Sequence, residues 1–187
     1  MRRPSSSLLL AAARILTLSR LAGIIPFLWL LIQTHRVGSE AWGRILILFY
    51  CFMVLSDLWD GALARRAGAP SFHWGRLDAI ADIAFNTLSL SVAAWLGIIG
   101  PWVPAGVAVL GGRFILRIRP EPAKNEQLLA EDRIGKIAGV AYYILVGVVV
   151  LELSVEGGAG RWAVARAGDV VFLYTLFALL HKRGRVI

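Results

Sequence analysis

Six apolar blocks, each close to twenty residues long, dominate this sequence. A helix needs about 20 apolar residues to cross the hydrocarbon core of a bilayer, so blocks of this length predict membrane-spanning helices. The composition agrees, since 58% of the 187 residues are hydrophobic and the mean hydropathy is +0.69. We therefore predict an all-α integral membrane bundle of six transmembrane helices, at residues 15–33, 42–65, 77–99, 101–118, 134–154 and 161–181.

The N-terminal stretch MRRPSSSLLLAAA has the basic start and the apolar run of a secretory signal, but the hydrophobicity continues to Ile32. We therefore predict a short N-terminal interfacial helix that leads into the first span. No internal repeat or linker divides the chain. Residues 1–187 are accordingly predicted to form a single membrane domain.

The basic residues are distributed unevenly between the two sides of the predicted bundle. With the N-terminus inside, thirteen Lys and Arg residues fall in cytoplasmic segments and four in outer segments, leaving aside Arg14, Arg20 and Arg113 within the spans or the leading helix. This bias predicts a cytoplasmic membrane protein with both termini in the cytoplasm. The formal charge of +8 is explained by topology and by attraction to anionic lipid headgroups, so no nucleic acid partner is predicted.

The stretch SDLWDGALARR, residues 56–66, carries two acids at the end of an apolar block, where a carboxylate is costly. Asp57 and Asp60 share one helix face at spacing i, i+3, and Asp78 and Asp82 share a face of the next helix at spacing i, i+4. Gly and Pro between the pairs predict a turn, so the four acids approach one another from antiparallel helices.

Four carboxylates that converge in a low-dielectric site repel one another unless a positive charge lies among them. A divalent cation, or a pair, meets this need, and all-oxygen ligands favour Mg²⁺, Mn²⁺ or Ca²⁺ over zinc. Gly61 and Ala64 leave space for a bulky group, and Arg65 can pair with a phosphate oxygen. A metal-bound diphosphate fits this pattern, although for any single acid an ion pair with Arg65, Arg66 or Arg76 is an equally good interpretation.

The stretch DLWDGALARRAGAPSFHWGRLDAIAD resembles the CDP-alcohol phosphotransferase signature DxxDGxxARx8GxxxDxxxD. The resemblance covers residues 57–82 and implies the six-helix membrane fold of that family. It also implies transfer of a phosphatidyl group from CDP-diacylglycerol to an alcohol acceptor such as glycerol 3-phosphate, with release of CMP, in phospholipid biosynthesis by a homodimer. The matching positions are Asp57, Asp60, Gly61, Ala64, Arg65, Asp78 and Asp82.

The resemblance further implies a role for each matching residue. Metal ligands, for two Mg²⁺ or Mn²⁺ ions, would be Asp57, Asp60, Asp78 and Asp82. Asp82 would also remove the proton of the acceptor hydroxyl. The nucleotide and its phosphates would be bound by Gly61, Ala64 and Arg65.

One position departs from the family signature. Trp74 stands where the second glycine is expected, and Gly75 follows one residue late. Trp74 is at i−4 from Asp78, so its indole is expected either to stack on the cytosine or block the donor, or to lie in the aromatic belt at the membrane interface. Trp74 and Gly75 are therefore included among the predicted nucleotide-binding residues.

Weaker similarities indicate the bacterial phosphatidylglycerophosphate and cardiolipin synthase branch of the family. ILTLSRL resembles the NxxTxxR opening of that branch at Thr17 and Arg20, with Arg14 at the usual Asn. IGKIAG resembles its GKxKT segment at Gly135 and Lys136.

The basic residues predicted to bind an anionic acceptor are Arg113, Arg117 and Lys136, which lie toward the cytoplasmic ends of the fourth and fifth spans. A role as membrane anchors explains these three residues equally well. Asp169, midway along the sixth span, is predicted to be a buried acid, either hydrogen-bonded or protonated, without a catalytic role.

Two other classes of protein accommodate the same acids. A cation-handling membrane protein would place acids along an ion path at several depths, and ion flux without CMP release would identify it. A catalytically divergent lipid- or nucleotide-binding protein would explain Trp74 and would bind the donor without turnover.

Overall fold

The computed structural model describes residues 6–66, 72–117, 133–155 and 160–181, and within these ranges it contains six α-helices and no strand. The predicted all-α bundle is therefore confirmed. The helices are α1 (Ser6–Val37), α2 (Glu40–Arg66), α3 (Phe72–Trp95), α4 (Trp102–Arg117), α5 (Arg133–Ser154) and α6 (Arg161–His181).

Five of these helices are long and apolar enough to cross a membrane, namely α1, α2, α3, α5 and α6. The fourth, α4, has 16 residues, fewer than the roughly 20 needed to span the hydrocarbon region without tilt or thinning. The chain is thus a multi-pass membrane protein, and α4 corresponds to the shortest of the predicted spans.

The N-terminal segment differs from the prediction of a separate interfacial helix. α1 runs without interruption from Ser6 to Val37, so the residues before Ile15 form its first turns. The reason is local sequence, because the run of Leu and Ala from Leu8 to Ala13 consists of strong helix formers and contains no residue that would break the helix.

The end of the third span was also predicted too late, at residue 99. α3 ends at Trp95 because Gly97 adopts a left-handed conformation with φ of 71°. The Ile98 amide donates to the Ala93 carbonyl and the Gly97 amide to the Ala94 carbonyl, the two bonds of a Schellman cap. The apolar residues after the cap pack in the core instead of extending the helix, since Ile98 and Ile99 are both buried.

Successive helices run in alternate directions, which brings the two acid-bearing segments to one end of the bundle. We call this end, where α2 finishes at Arg66 and α3 begins at Phe72, the acid end. α1 packs against α2 and α3, α2 against α5, and α4 against α3 and α6. The acid end therefore also holds the start of α5 and the last turn of α6.

An aromatic cluster fills the core directly beneath the acids. The Phe27 ring on α1 lies 5.1 Å from the Phe85 ring on α3, and Phe85 stacks on Tyr143 of α5 at 5.6 Å between centroids. Phe49 and Tyr50 of α2 each lie 6.3 Å from Phe27. These five side chains from four helices form an apolar floor between the acid end and the rest of the core.

Adjacent glycines in α4 give a test of helix packing. A Cβ placed on Gly111 would lie 2.5 Å from Cγ2 of Ile83, whereas one on Gly112 meets no described atom within 4 Å. We expect Gly111→Ala to destabilise the bundle by about 1–3 kcal/mol through overpacking. Gly112→Ala should leave the thermal unfolding midpoint in detergent unchanged or slightly raised. Equal midpoints for the two variants would contradict the close approach of α3 and α4.

Candidate active site

Three acids from two helices converge at the acid end. Asp57 of α2 and Asp78 and Asp82 of α3 each offer a carboxylate oxygen within 4.8 Å of the others. Their side chains are 26%, 36% and 32% exposed, respectively. The predicted meeting of the two acid pairs is thus observed for three of the four members.

A buried arginine lies among these carboxylates. Arg20 of α1 is 0% exposed, and its guanidinium pairs with Oδ1 of Asp57 and with Oδ1 of Asp78. It also donates to Oδ1 of Asp82 at 2.6 Å. A guanidinium buried this deeply is stable only with anionic partners, so the acids and Arg20 depend on one another. The arginine ties α1 to both acid-bearing helices.

Tyr143 of α5 adds a second donor to one of the acids. Its hydroxyl donates to Oδ1 of Asp82 at 3.0 Å, while its ring stacks on Phe85 in the apolar floor. Asp82 is consequently held by side chains from two other helices, through the same oxygen that accepts from Arg20. Among the described contacts, Asp82 therefore has one more donor than Asp57 or Asp78.

Asn86 continues the acid face of α3 one turn deeper. It follows Asp78 and Asp82 at successive i+4 positions, and its side-chain amide donates to the Asp82 backbone carbonyl at 2.9 Å. The residue is 3% exposed and lies next to Phe85 in the sequence. Asp78, Asp82 and Asn86 thus form a polar row on α3 that reaches the depth of the apolar floor.

The chemistry of the donor set suits a hard divalent cation. Three carboxylates supply only oxygen ligands, which Mg²⁺ and Mn²⁺ prefer. The described contacts of these three carboxylates with Arg20 and Tyr143 fall on Oδ1 atoms, so the Oδ2 atoms lie outside the described contacts. The residues present therefore fit the metal that the sequence predicts.

Several predicted site residues lie outside the side chains that the structure describes. Their backbones belong to α2, α3 and α4, but their roles in metal and nucleotide binding stay predictions. These residues are Asp60, Gly61, Ala64, Arg65, Trp74, Gly75 and Arg117.

The two described acceptor-site candidates differ in their surroundings. Arg113 of α4 is partly buried and donates to the Leu179 carbonyl in the last turn of α6, at 3.2 Å. Lys136, near the start of α5, is exposed. Arg113 thus also stabilises the contact between α4 and α6, and binding of an acceptor by either residue stays a prediction.

Asp169 differs from the prediction of a buried acid, because its side chain is 34% exposed. It accepts a hydrogen bond from the Trp102 indole at 3.1 Å and pairs with Arg166 at 3.3 Å. Asp169 is exposed because it lies beside Trp102, the first residue of the short helix α4, toward the end of the bundle opposite the acids. The predicted hydrogen bonding is confirmed, and Asp169 lies apart from the acid cluster.

Sequence reasoning did not predict the contacts of Arg20 and Tyr143 with the acids. A signal for Arg20 was present, because an arginine inside an apolar span needs an anionic partner and because Thr17 and Arg20 match the NxxTxxR segment. Tyr143 carried no such signal, since a tyrosine in an apolar helix is common and its partner depends on the packing of α5 against α3.

Comparison with known proteins agrees with the geometry. A model of the CDP-alcohol phosphatidyltransferase family matches residues 10–179. The chain is 32% identical over 101 residues to a CMP-forming cardiolipin synthase of Streptomyces coelicolor, and this alignment covers 54% of the chain and 46% of the relative, so the match spans about half of each protein. No solved structure matches the chain. With the family match covering nearly its whole length, the chain belongs to the CDP-alcohol phosphatidyltransferase family.

Proposed function

We propose that this protein transfers a phosphatidyl group from CDP-diacylglycerol to an alcohol acceptor, with release of CMP, in phospholipid biosynthesis. The observation that carries the proposal is the convergence of Asp57, Asp78 and Asp82 within 4.8 Å, at the positions where the family signature has its acids. Glycerol 3-phosphate is the acceptor that we propose first.

The proposed reaction breaks one bond and forms one bond at phosphorus. The acceptor oxygen attacks the phosphorus that carries diacylglycerol, and the bond from this phosphorus to the bridging oxygen of the diphosphate breaks. CMP leaves with that oxygen and its electron pair, while the hydroxyl proton passes to a base on the protein. The base must lie beside the diphosphate, which restricts the choice to the acid cluster.

Asp82 is the base that the contacts favour. Tyr143 and Arg20 both donate to its Oδ1, which fixes the carboxylate plane and leaves Oδ2 to accept a proton. The side chain is 32% exposed, so an acceptor hydroxyl can approach it. Asp57 and Asp78, which have no described tyrosine donor, are better suited to hold a cation.

The metal ligands that we propose are Asp57, Asp60, Asp78 and Asp82, for two Mg²⁺ or Mn²⁺ ions. A divalent cation bound by these carboxylates would neutralise the phosphate oxygens of the donor and of the departing CMP. The protein contributes by keeping three of the carboxylates close together despite their repulsion, through the ion pairs with Arg20.

The remaining contacts follow from the family signature. We propose that Gly61, Ala64 and Arg65 of α2 bind the nucleotide and its phosphates, together with Trp74 and Gly75 of α3. For the acceptor we propose Arg113, Arg117 and Lys136, since α4 ends and α5 begins at the acid end.

We propose the cytoplasmic membrane as the location, with the acid end and both termini on the cytoplasmic side. The excess of basic residues in the segments at this end supports the orientation. A homodimer, implied by the family resemblance, stays a prediction.

The acid cluster gives the most direct test of the proposed reaction. Asp82→Asn keeps the side-chain shape but removes the base, so CMP release should fall by about 100-fold or more. Asp169→Asn is the matched control, because it alters an intramembrane acid that binds Trp102 and Arg166 away from the site. Both variants are assayed for CMP release from CDP-diacylglycerol in detergent.

Full turnover by Asp82→Asn would remove Asp82 from the mechanism. Wild-type protein that binds the donor but releases no CMP with any acceptor would instead identify the catalytically divergent binding protein.

Two neighbouring tyrosines test the positioning of Asp82. Tyr143→Phe keeps the ring on Phe85 but removes the hydrogen bond to the carboxylate, so kcat should fall about tenfold with KM unchanged. Tyr142→Phe removes a buried hydrogen bond to Thr175 at 2.9 Å, away from the acids. It should lower the thermal unfolding midpoint and retain kcat. Equal kcat values for the two variants would contradict the role of Tyr143.

A second acceptor is favoured by the matched relative. That protein is named a CMP-forming cardiolipin synthase, and cardiolipin forms when a phosphatidyl group is transferred to phosphatidylglycerol. Phosphatidylglycerol is therefore our second candidate.

A competition between acceptors separates these candidates. Membranes containing the protein are given labelled CDP-diacylglycerol with glycerol 3-phosphate, phosphatidylglycerol, serine or inositol phosphate. We expect labelled lipid with one of the first two, and its identity gives the acceptor. Labelled product with only serine or inositol phosphate would contradict both candidates, and membranes with the Asp82→Asn variant provide the background.

A further inference from the structure

Arg20 lies among the same three carboxylates to which the proposed function assigns a divalent cation. We propose that Arg20 is a built-in counter-charge that competes electrostatically with the divalent cation and so sets the cation affinity of the site. This inference rests on the proposed function, because it takes Asp57, Asp78 and Asp82 to be the metal ligands.

The burial of Arg20 fixes it in place. Its side chain is 0% exposed, and its neighbour one turn earlier on the same face, Thr17, is buried as well. An arginine near a helix end often extends its charged group toward the membrane surface, but Arg20 points into the acid cluster instead. Moving it away would leave a buried charge without compensation, so the guanidinium stays with the acids.

The charges of the described residues show how Arg20 acts on a bound cation. The three described carboxylates and the guanidinium of Arg20 carry a net charge of −2. Without Arg20 the charge of the cluster would be −3. Because the guanidinium repels a cation bound to the same carboxylates, its removal should strengthen cation binding.

A role in orientation alone predicts the opposite result. If Arg20 served only to aim the carboxylates, its loss would let Asp57, Asp78 and Asp82 turn away from one another, and cation binding would weaken. The direction of the change in affinity therefore distinguishes a counter-charge from a structural clamp.

The test compares neutral and charged replacements in the full chain in detergent. After treatment with a chelator, thermal unfolding is followed while Mn²⁺ is added to the wild type, Arg20→Gln and Arg20→Lys, and the midpoints give an apparent Kd. Arg20→Gln should unfold at lower temperature without Mn²⁺, because the acids then repel one another. Its apparent Kd should be about tenfold lower than that of the wild type.

The other variants separate charge from shape. Arg20→Lys keeps the charge but loses the planar guanidinium, so its apparent Kd should lie within about threefold of the wild-type value. Arg166→Gln is the control, since Arg166 pairs with Asp169 rather than with the acids of the cluster. It removes a positive charge from the chain and should leave the apparent Kd unchanged.

Each outcome decides the proposal. A stabilising effect of Mn²⁺ on the wild type, with equal or weaker binding by Arg20→Gln, would overturn the counter-charge role and leave the proposed function intact. If Arg20→Gln is not recovered folded, Arg20→Lys decides, because binding at least tenfold weaker would show that guanidinium geometry matters rather than charge. Absence of any Mn²⁺ effect on the wild type would overturn the metal site and this inference together.

Discussion

Convergence of like charges at one end of an apolar bundle is the constraint on which this structure depends. Three carboxylates lie within 4.8 Å of one another in helices that are otherwise suited to a bilayer. Their repulsion is offset by Arg20, whose fully buried guanidinium contacts all three. Because the arginine belongs to α1 and the acids to α2 and α3, the ion pairs also fix how these helices meet. The site and the packing of the acid end therefore cannot be separated energetically.

The apolar floor beneath the acids explains how a polar site is kept at a defined depth. Phe27, Phe85 and Tyr143 come from three helices and pack together below the carboxylates. Charged side chains on α3 end at Asp82, and the Asn86 amide follows one turn deeper. Dense packing of aromatic rings excludes water below this level, so a charged headgroup donor can approach only from the acid end. Fold and proposed chemistry thus agree on one direction of access.

The sequence was sufficient to predict the helices and the convergence of the acids. It was not sufficient to predict which side chains bind the acids. The length of the apolar blocks predicted the spans, and the helical spacing of the acids placed Asp57, Asp78 and Asp82 on facing helix surfaces. Both properties can be read from a short stretch of sequence. The end of α3 was misplaced because Ile98 and Ile99 are as apolar as a span, while the cap depends on the backbone of Gly97. The partners of Arg20 and Tyr143 depend on contacts between distant helices, 62 and 61 residues away from Asp82, which one sequence does not reveal.

The three carboxylates look equivalent in the sequence, yet the structure makes them different. All three share the guanidinium of Arg20, but only Asp82 has an additional described donor, the Tyr143 hydroxyl. A carboxylate with one oxygen held by two donors has a fixed orientation, which is what proton transfer from a bound hydroxyl requires. In the proposed function all three carboxylates bind the cation, and Asp82 alone also serves as the base. The choice of Asp82 as the base therefore follows from the packing of α5 against α3, which brings Tyr143 to this acid, and not from the acids themselves.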